Sequence, residues 1–259
     1  MSERPVNLFD LHGKVAVVTG GNGGIGLGIA RGLAQAGADI AVVGRNAEKN
    51  RQAVDGLQRD FGVRAVAHQT DVTSEADAAE TIRSTTRQLG SVDILVNNAG
   101  INIRKPPQEV SLDDWHQVMD SNLTSVLICS KAALPAMREA GGGKIINIGS
   151  MTSIFGVPFA PAYAASKGGV VQLTKSLAIA WAQFNIQVNC ILPGWIETDL
   201  TNRARQEVPG LYERVLARTP QGRWGKPEDL AGAAVFLAGR ASDFVTGVSL
   251  AVDAGYSIM

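Results

Sequence analysis

Tyr163 and Lys167 stand four residues apart in "APAYAASKGG" (160–169), a long phenol and a long ammonium among small side chains. On a helix, four residues advance about 400° and 6 Å, so both groups share a face one turn apart. An unperturbed phenol titrates near pH ~10, too high for a base at neutral pH. A neighbouring ammonium favours the phenolate and lowers that value, which predicts an acid–base pair. Ser150 closes the apolar run "GKIINIGS" (143–150), either as a strand terminator or as a hydroxyl at a ligand-binding edge. Asn122 falls on one helical stripe with Val118, Val126 and Cys129. It is therefore a core-facing amide that needs hydrogen-bond partners, whether it bends a helix or serves a site.

A second constellation is "TGGNGGIG" (19–26), between an apolar run and a helical pattern. Literal GxGxxG falls on Gly21, Gly23 and Gly26. Strand, glycine turn and helix in that order predict a dinucleotide site. Glycines let the backbone approach the ligand, and a helix N-terminus offers amides and positive dipole to a pyrophosphate. A flexible turn is the structural alternative. Further on, where an NAD-preferring fold carries an acid for the ribose 2′-hydroxyl, the chain reads "VVGRN". Gly44 occupies that place and Arg45 follows. A guanidinium there pairs with a 2′-phosphate, so NADP(H) is favoured and NAD(H) is the alternative. A solvated loop Arg competes with that reading.

The elements that must position these groups alternate regularly. Apolar, β-branched runs at 14–19, 39–44, 64–69, 92–97, 143–150, 186–194 and 248–253 predict strands covered on both faces. Helical patterns lie between them at 24–36, 46–60, 74–89, 111–139, 161–184 and 227–239. Ser74 with Asp77 and Ser111 with Asp114 predict N-terminal caps. The expectation is an α/β fold, a doubly wound seven-stranded parallel sheet with helices on both faces, of Rossmann type. No linker or repeat divides it, which predicts a single domain over 1–259. "NNAG" (97–100) and "LPGWIET" (192–198) sit at strand ends. Asn97 and Asn98 there either tie neighbouring strand ends or meet a ligand, and the Thr198 hydroxyl is placed to bond a carboxamide.

Thr19-Gly20, Gly24-Ile25-Gly26, "NNAG", Ser150, Tyr163 with Lys167, and "PGWIET" occur in order over essentially the whole chain. In these the chain resembles the short-chain dehydrogenase/reductase family, whose register uses Gly20, Gly24 and Gly26. The resemblance implies a catalytic tetrad of Asn122, Ser150, Tyr163 and Lys167. Tyr163 exchanges a proton with the substrate oxygen and Ser150 orients it. Lys167 bonds the nicotinamide ribose, and Asn122 holds a water. It also implies cofactor contacts from Asn22, Arg45, Asp71 and Val72. Further contacts come from Asn98, Ala99 and Gly100, and from Pro193, Gly194, Ile196 and Thr198. Residues 199–225 match the family's substrate-covering segment, a lid of short helices. Arg104, Ser150, Tyr163 and Trp195 are the candidate substrate residues; Arg104 and Lys105 either pair with a substrate carboxylate or are solvated. "NNAGINIRKP", "GGGKIINIGSM" and "RTPQGRWGKPEDLAGAAVFLA" resemble the sugar-acid branch, such as gluconate 5-dehydrogenases and 2-deoxy-gluconate 3-dehydrogenases. The 3-oxoacyl-carrier-protein reductases share most motifs and remain the alternative. A non-catalytic nucleotide sensor on this fold is the non-enzyme one, but it would have lost part of the tetrad.

Composition excludes other classes. Twenty-four basic and 24 acidic residues cancel without runs of like charge, which argues against nucleic acid or an anionic membrane as partner. Cys129 and Cys190 lie in apolar surroundings as reduced core thiols, and His12, His68 and His116 lack metal-ligand spacing. The start "MSERPVNLFDLHGK" has no apolar core of leader length, and no run of about 18 apolar residues occurs. A cytoplasmic protein acting on a small molecule is expected. The family is usually tetrameric through its two long helices, here 111–139 and 161–184, which predicts a homotetramer.

Overall fold

The expected strands form as β1 (Val15–Thr19), β2 (Asp39–Gly44), β3 (Ala65–Gln69), β4 (Ile94–Asn97), β5 (Gly143–Ile148), β6 (Ile186–Pro193) and β7 (Ser249–Val252). In the computed structural model, which describes residues 7–259, they build one sheet in the order β3-β2-β1-β4-β5-β6-β7. Every neighbouring pair is parallel. Residues 1–6, where the absence of a leader was read, lie outside the described residues.

The helices are α1 (Gly24–Gln35), α2 (Ala47–Phe61), α3 (Glu75–Leu89), α4 (Leu112–Met119), α5 (Ser125–Glu139), α6 (Pro161–Trp181), α7 (Asp199–Glu207), α8 (Leu211–Ala217) and α9 (Ala231–Ala238). The near-continuous apolar strands have the cause expected of them, burial on both faces. Ala16, Val18, Ile40 and Val42 pack with Ile29, Leu33 and Leu237 of α1 and α9. Val15, Val17, Ala41 and Val43 turn the other way, toward Ile82, Cys129 and Leu177 of α3, α5 and α6. Ser74 caps α3 by accepting from Asp77 N–H, and Ser111 with Asp114 forms a reciprocal capping box at α4.

The helix expected over 111–139 is not uniform. A π-helical turn, Asp120–Thr124, lies between α4 and α5 and contains the fully buried Asn122. Such turns insert a residue into the helix and often mark functional positions. The chain runs outward from β1 through β2 to β3, then returns to place β4 on the other side of β1. The carboxyl ends of β1 and β4 therefore flank the point where strand order reverses, the place where open α/β sheets bind ligands. Among the described residues no helix is long and apolar enough to cross a membrane.

Candidate active site

The glycine loop after β1 is shaped by two left-handed residues, Gly20 (φ 63°) and Gly24 (φ 50°). Gly26 is required for another reason. A Cβ there would lie 2.2 Å from the Gly20 carbonyl oxygen and 2.4 Å from Asn98 Nδ2. Gly23, by contrast, has nothing within 4 Å of such an atom. The register Gly20, Gly24, Gly26 thus has physical reasons; of the literal set Gly21 is also crowded, since a Cβ there would lie 2.8 Å from the Val18 carbonyl oxygen, and Gly23 is open. Gly23 precedes α1 in extended conformation, with no side-chain cap and no acid in the first turn. The first amides of α1 are left for a ligand, and their dipole favours an anion. This arrangement fits a dinucleotide pyrophosphate.

Asn98 ties this loop down. Its N–H donates to Thr19 Oγ1 (2.9 Å), and its Nδ2 donates to the Thr19 and Gly20 carbonyls at 2.9 and 3.2 Å. Asn97 turns inward and donates to Ser130 Oγ and Asn147 Oδ1. Both asparagines therefore bind strand ends together, and Asn98 also reaches the cavity wall.

The end of β2 is closely covered by side chains. A Cβ on Gly44 would lie 2.5 Å from Asn22 Nδ2 and 2.8 Å from Asn50 Oδ1. Asn50 is fully buried, accepts from Asn22 (2.6 Å) and donates to the Gly44 and His68 carbonyls (2.8 and 2.9 Å). It joins the glycine loop to two strand ends and did not stand out in the sequence. Its stripe with Ala53, Val54 and Leu57, all buried on α2, is the signal that would have found it. Arg45 is exposed and, like Asp71 and Val72, does not line the cavity. Asp71 accepts from Thr73 N–H and Oγ1, bonds that hold its carboxyl below the ordinary value. Val72 packs on the core.

One cavity of about 440 Å³ runs from Gly20, Asn22, Gly24 and Ile25 past Asn98–Gly100 to Ser150, Tyr163 and Lys167. Pro193, Gly194, Trp195, Ile196 and Thr198 complete that wall. Ser150 follows β5 and accepts from Thr152 N–H (3.1 Å). Lys167 is buried, with Nζ donating to the Ile148 carbonyl (2.7 Å) and 5.7 Å from the Tyr163 ring centroid. Burial brings its ammonium down to about 8. Part of the Tyr163 ring remains accessible along the cavity wall, but its phenol is densely enclosed and burial pushes it up. The neighbouring Ser150 hydroxyl and then the charge of Arg104 pull it the other way. Desolvation is the largest influence on both groups, and the charge of Arg104 is a smaller one on the phenol.

Asn122 stands behind that wall, bonded within the chain. Its Oδ1 accepts from Ile101 N–H (2.8 Å), and its Nδ2 donates to the Ile101 carbonyl (2.9 Å) and Ser166 Oγ (3.1 Å). With both amide hydrogens engaged, the side chain clasps the segment after β4 and does not line the cavity. Gly26 is also behind the wall.

The remaining side of the cavity comes from α7, through Asp199, Leu200, Thr201 and Ala204, and from Arg218 just after α8. Ala204, Leu211, Val215 and Trp224 form a small core of their own, against which Trp195 packs. Arg205 lies over the rings of Trp224 and Tyr212 at 3.9 and 4.7 Å. Thr198 caps α7 while lining the cavity. Arg104 is not solvated: its side chain is 10% exposed and pairs with Glu207 of α7 (2.8 Å) and the Leu200 carbonyl (2.9 Å). Lys105 pairs with Asp114. Three wall residues not singled out in the sequence carry buried polar atoms without a partner: Asn102 Oδ1, Thr152 Oγ1 and Arg218 Nε.

Comparisons with known proteins agree with this geometry. Residues 20–257 match a family model described as enoyl-(acyl carrier protein) reductase. The chain is 41% identical over 250 residues to 2-dehydro-3-deoxy-D-gluconate 5-dehydrogenase of Formosa agariphila, covering 96% of this chain and 95% of that one. It is 41% identical over 252 residues to gluconate 5-dehydrogenase of Gluconobacter oxydans, covering 97% and 98%. The crystal structure of a gluconate 5-dehydrogenase from Burkholderia cenocepacia in complex with NADP and tartrate is 43% identical. It superposes with a TM-score of 0.92 over 97% of this chain and 98% of that one.

Proposed function

Since the chain belongs to the short-chain dehydrogenase/reductase family and is an NAD(P)-dependent oxidoreductase acting on CH–OH groups, we propose that it interconverts a sugar acid or polyol and its ketone with NADP(H), as a gluconate 5-dehydrogenase does. One observation carries this reading: a single cavity joins the bare N-terminus of α1 to the Ser150–Tyr163–Lys167 group. The whole chain acts as one dinucleotide-binding domain, with 199–225 covering the substrate. When bound, NADP(H) supplies or accepts the hydride. Gly20, Asn22, Gly24 and Ile25 hold its pyrophosphate, and Gly26, behind the wall, lets the loop close against Gly20 and Asn98. Arg45 reaches from its exposed loop toward the 2′-phosphate, and Asp71 with Val72 flanks the adenine. Asn98, Ala99 and Gly100 face the ribose. Pro193, Gly194, Ile196 and Thr198 hold the nicotinamide end.

The chain's own chemistry is proton transfer and positioning. Tyr163 gives its phenolic proton to a ketone oxygen during reduction and accepts one from the alcohol during oxidation. Because burial keeps the phenol protonated at neutral pH, donation needs no prior ionisation, whereas oxidation does. Ser150 bonds the same oxygen and fixes its direction. Lys167, anchored on the Ile148 carbonyl, holds positive charge beneath the ring and bonds the cofactor ribose. Asn122 keeps the Ile101 segment in place and, through its acceptor oxygens, holds the water linking Lys167 to solvent. Trp195 and Arg104 bound the substrate, Arg104 while tied to α7. The partnerless atoms of Asn102 and Thr152 suit hydroxyls better than an acyl chain, since buried polar groups need partners.

Cytoplasmic location and a homotetramer complete the proposal. Leu127 on α5 and Ile179 on α6 are exposed apolar residues on the helices expected to meet a second copy. The test is a panel of sugar acids, polyols and ketones run with NAD and NADP, together with Tyr163→Phe. Turnover with NADP on sugar acids, lost in the variant while cofactor binding persists, is expected. Retained turnover in Tyr163→Phe overturns the mechanism.

A further inference from the structure

Arg218, which follows α8 at the substrate side of the cavity, is a cation that nothing among the described residues neutralises. Its guanidinium lies 4.5 Å from the ring centroids of both Phe155 and Tyr256. Those rings meet edge to face at 6.3 Å. All three residues line the cavity and come from separate parts of the chain: the turn after Ser150, the end of α8 and the segment after β7. Arg218 Nε is buried without a hydrogen bond, and no ion pair among the described residues includes this side chain.

The other cations on the wall are committed or remote. Arg104 is spent on Glu207 and the Leu200 carbonyl, and it is the charge that acts on the Tyr163 phenol. Lys167 is spent on the Ile148 carbonyl. Lys49 is exposed and belongs to α2, behind the glycine loop. A guanidinium stacked on rings keeps its in-plane N–H groups for other partners, and its planar fork matches a carboxylate. Arg218 is half-buried, and a partly enclosed cation without a counter-ion gains from an anionic ligand.

We propose that Arg218, held by Phe155 and Tyr256, binds the substrate carboxylate and determines specificity for acids over neutral polyols. Thr152 and Asn102 on the same wall bond hydroxyls of the carbon chain. The proposal rests on the sugar-acid reading above. It explains how Arg104 can remain a tie between the post-β4 segment and α7 while the site still recognises an acid.

The test measures KM and kcat for D-gluconate in wild type, Arg218→Gln and Arg218→Lys, with thermal midpoints recorded alongside. The expected result is a KM raised at least 30-fold in Arg218→Gln, with kcat reduced less than fivefold. Arg218→Lys, which keeps the charge but loses the fork, raises KM at least threefold and less than the Gln variant does. A KM unchanged in both variants overturns the proposal, as does a loss confined to kcat and the thermal midpoint. Should Arg218→Gln fail to fold, the KM of Arg218→Lys decides alone. A wild-type enzyme that oxidises D-sorbitol but no sugar acid sinks the substrate reading itself, which separates that failure from one of Arg218.

Discussion

Asn122→Ala separates a structural clasp from a direct part in proton transfer. In the native chain the Asn122 amide satisfies both the N–H and the carbonyl of Ile101, at 2.8 and 2.9 Å. Truncation to Ala leaves two backbone groups without partners, at about 1–3 kcal/mol each. Ser166 loses one donor but keeps its own bond to the Tyr163 carbonyl. Ile101 is half-buried, so water can reach part of this segment and the lower half of the range applies, about 2–4 kcal/mol in all. For a chain of this size that is a thermal midpoint lowered by about 5–15 °C. Urea denaturation followed by circular dichroism measures the midpoint and slope, and the slope should be unchanged. Turnover at 25 °C should fall as well, because Ile101 lies between Gly100 and Asn102 on the cavity wall. Stability within about 0.5 kcal/mol of wild type would refute the clasp, that being the scatter expected of a neutral surface substitution. Lost activity at full stability would assign Asn122 to the proton path instead.

Three further outcomes follow from the same geometry. Burial raises the Tyr163 phenol, so its protonated form persists to higher pH. Oxidation, which needs the phenolate, should therefore rise with pH through and above neutrality, while reduction stays level there; identical pH–rate profiles in the two directions would contradict this. Gly26→Ala places a methyl 2.2 Å from the Gly20 carbonyl oxygen. It should cost about 1–3 kcal/mol by overpacking and weaken cofactor binding, whereas Gly56→Ala, in the open interior of α2, should stabilise by up to about 1 kcal/mol. Denaturation midpoints compare the two, and equal effects would remove the steric account of the loop. Sedimentation equilibrium should give a tetramer, and Ile179→Glu should lower the association state; a monomeric wild type refutes the assembly.

Much of this protein was readable without coordinates because its signals are local. Strand runs such as "DIAVVG" are continuous because both sheet faces are covered, and β2 forms over those six residues, Asp39–Gly44. Capping at Ser74 and Ser111 depends on residues three positions away. Tyr163 and Lys167 share a face because four residues make one turn. The family motifs added the register Gly20, Gly24, Gly26, whose physical reason is the left-handed backbone at the first two and the crowding of Gly26 against a carbonyl.

What only the tertiary structure decided depends on what lies opposite each group. Tyr163 and Lys167 are neighbours in sequence, yet their ionisation is governed by enclosure, with Arg104 reaching the phenol from the loop after β4. Asn122 makes its bonds to Ile101 and Ser166, more than twenty positions away, within a π-helical turn that its own helix pattern does not betray. At Gly44, Asn22 and Asn50 fill the space where a Cβ would stand. Arg104 was legible in the sequence only as a loop cation, and Arg218 did not stand out there at all. One is tied to Glu207 and the other faces the cavity between two rings without a counter-ion, because partners of a long cationic side chain are set by which segments the fold brings beside it.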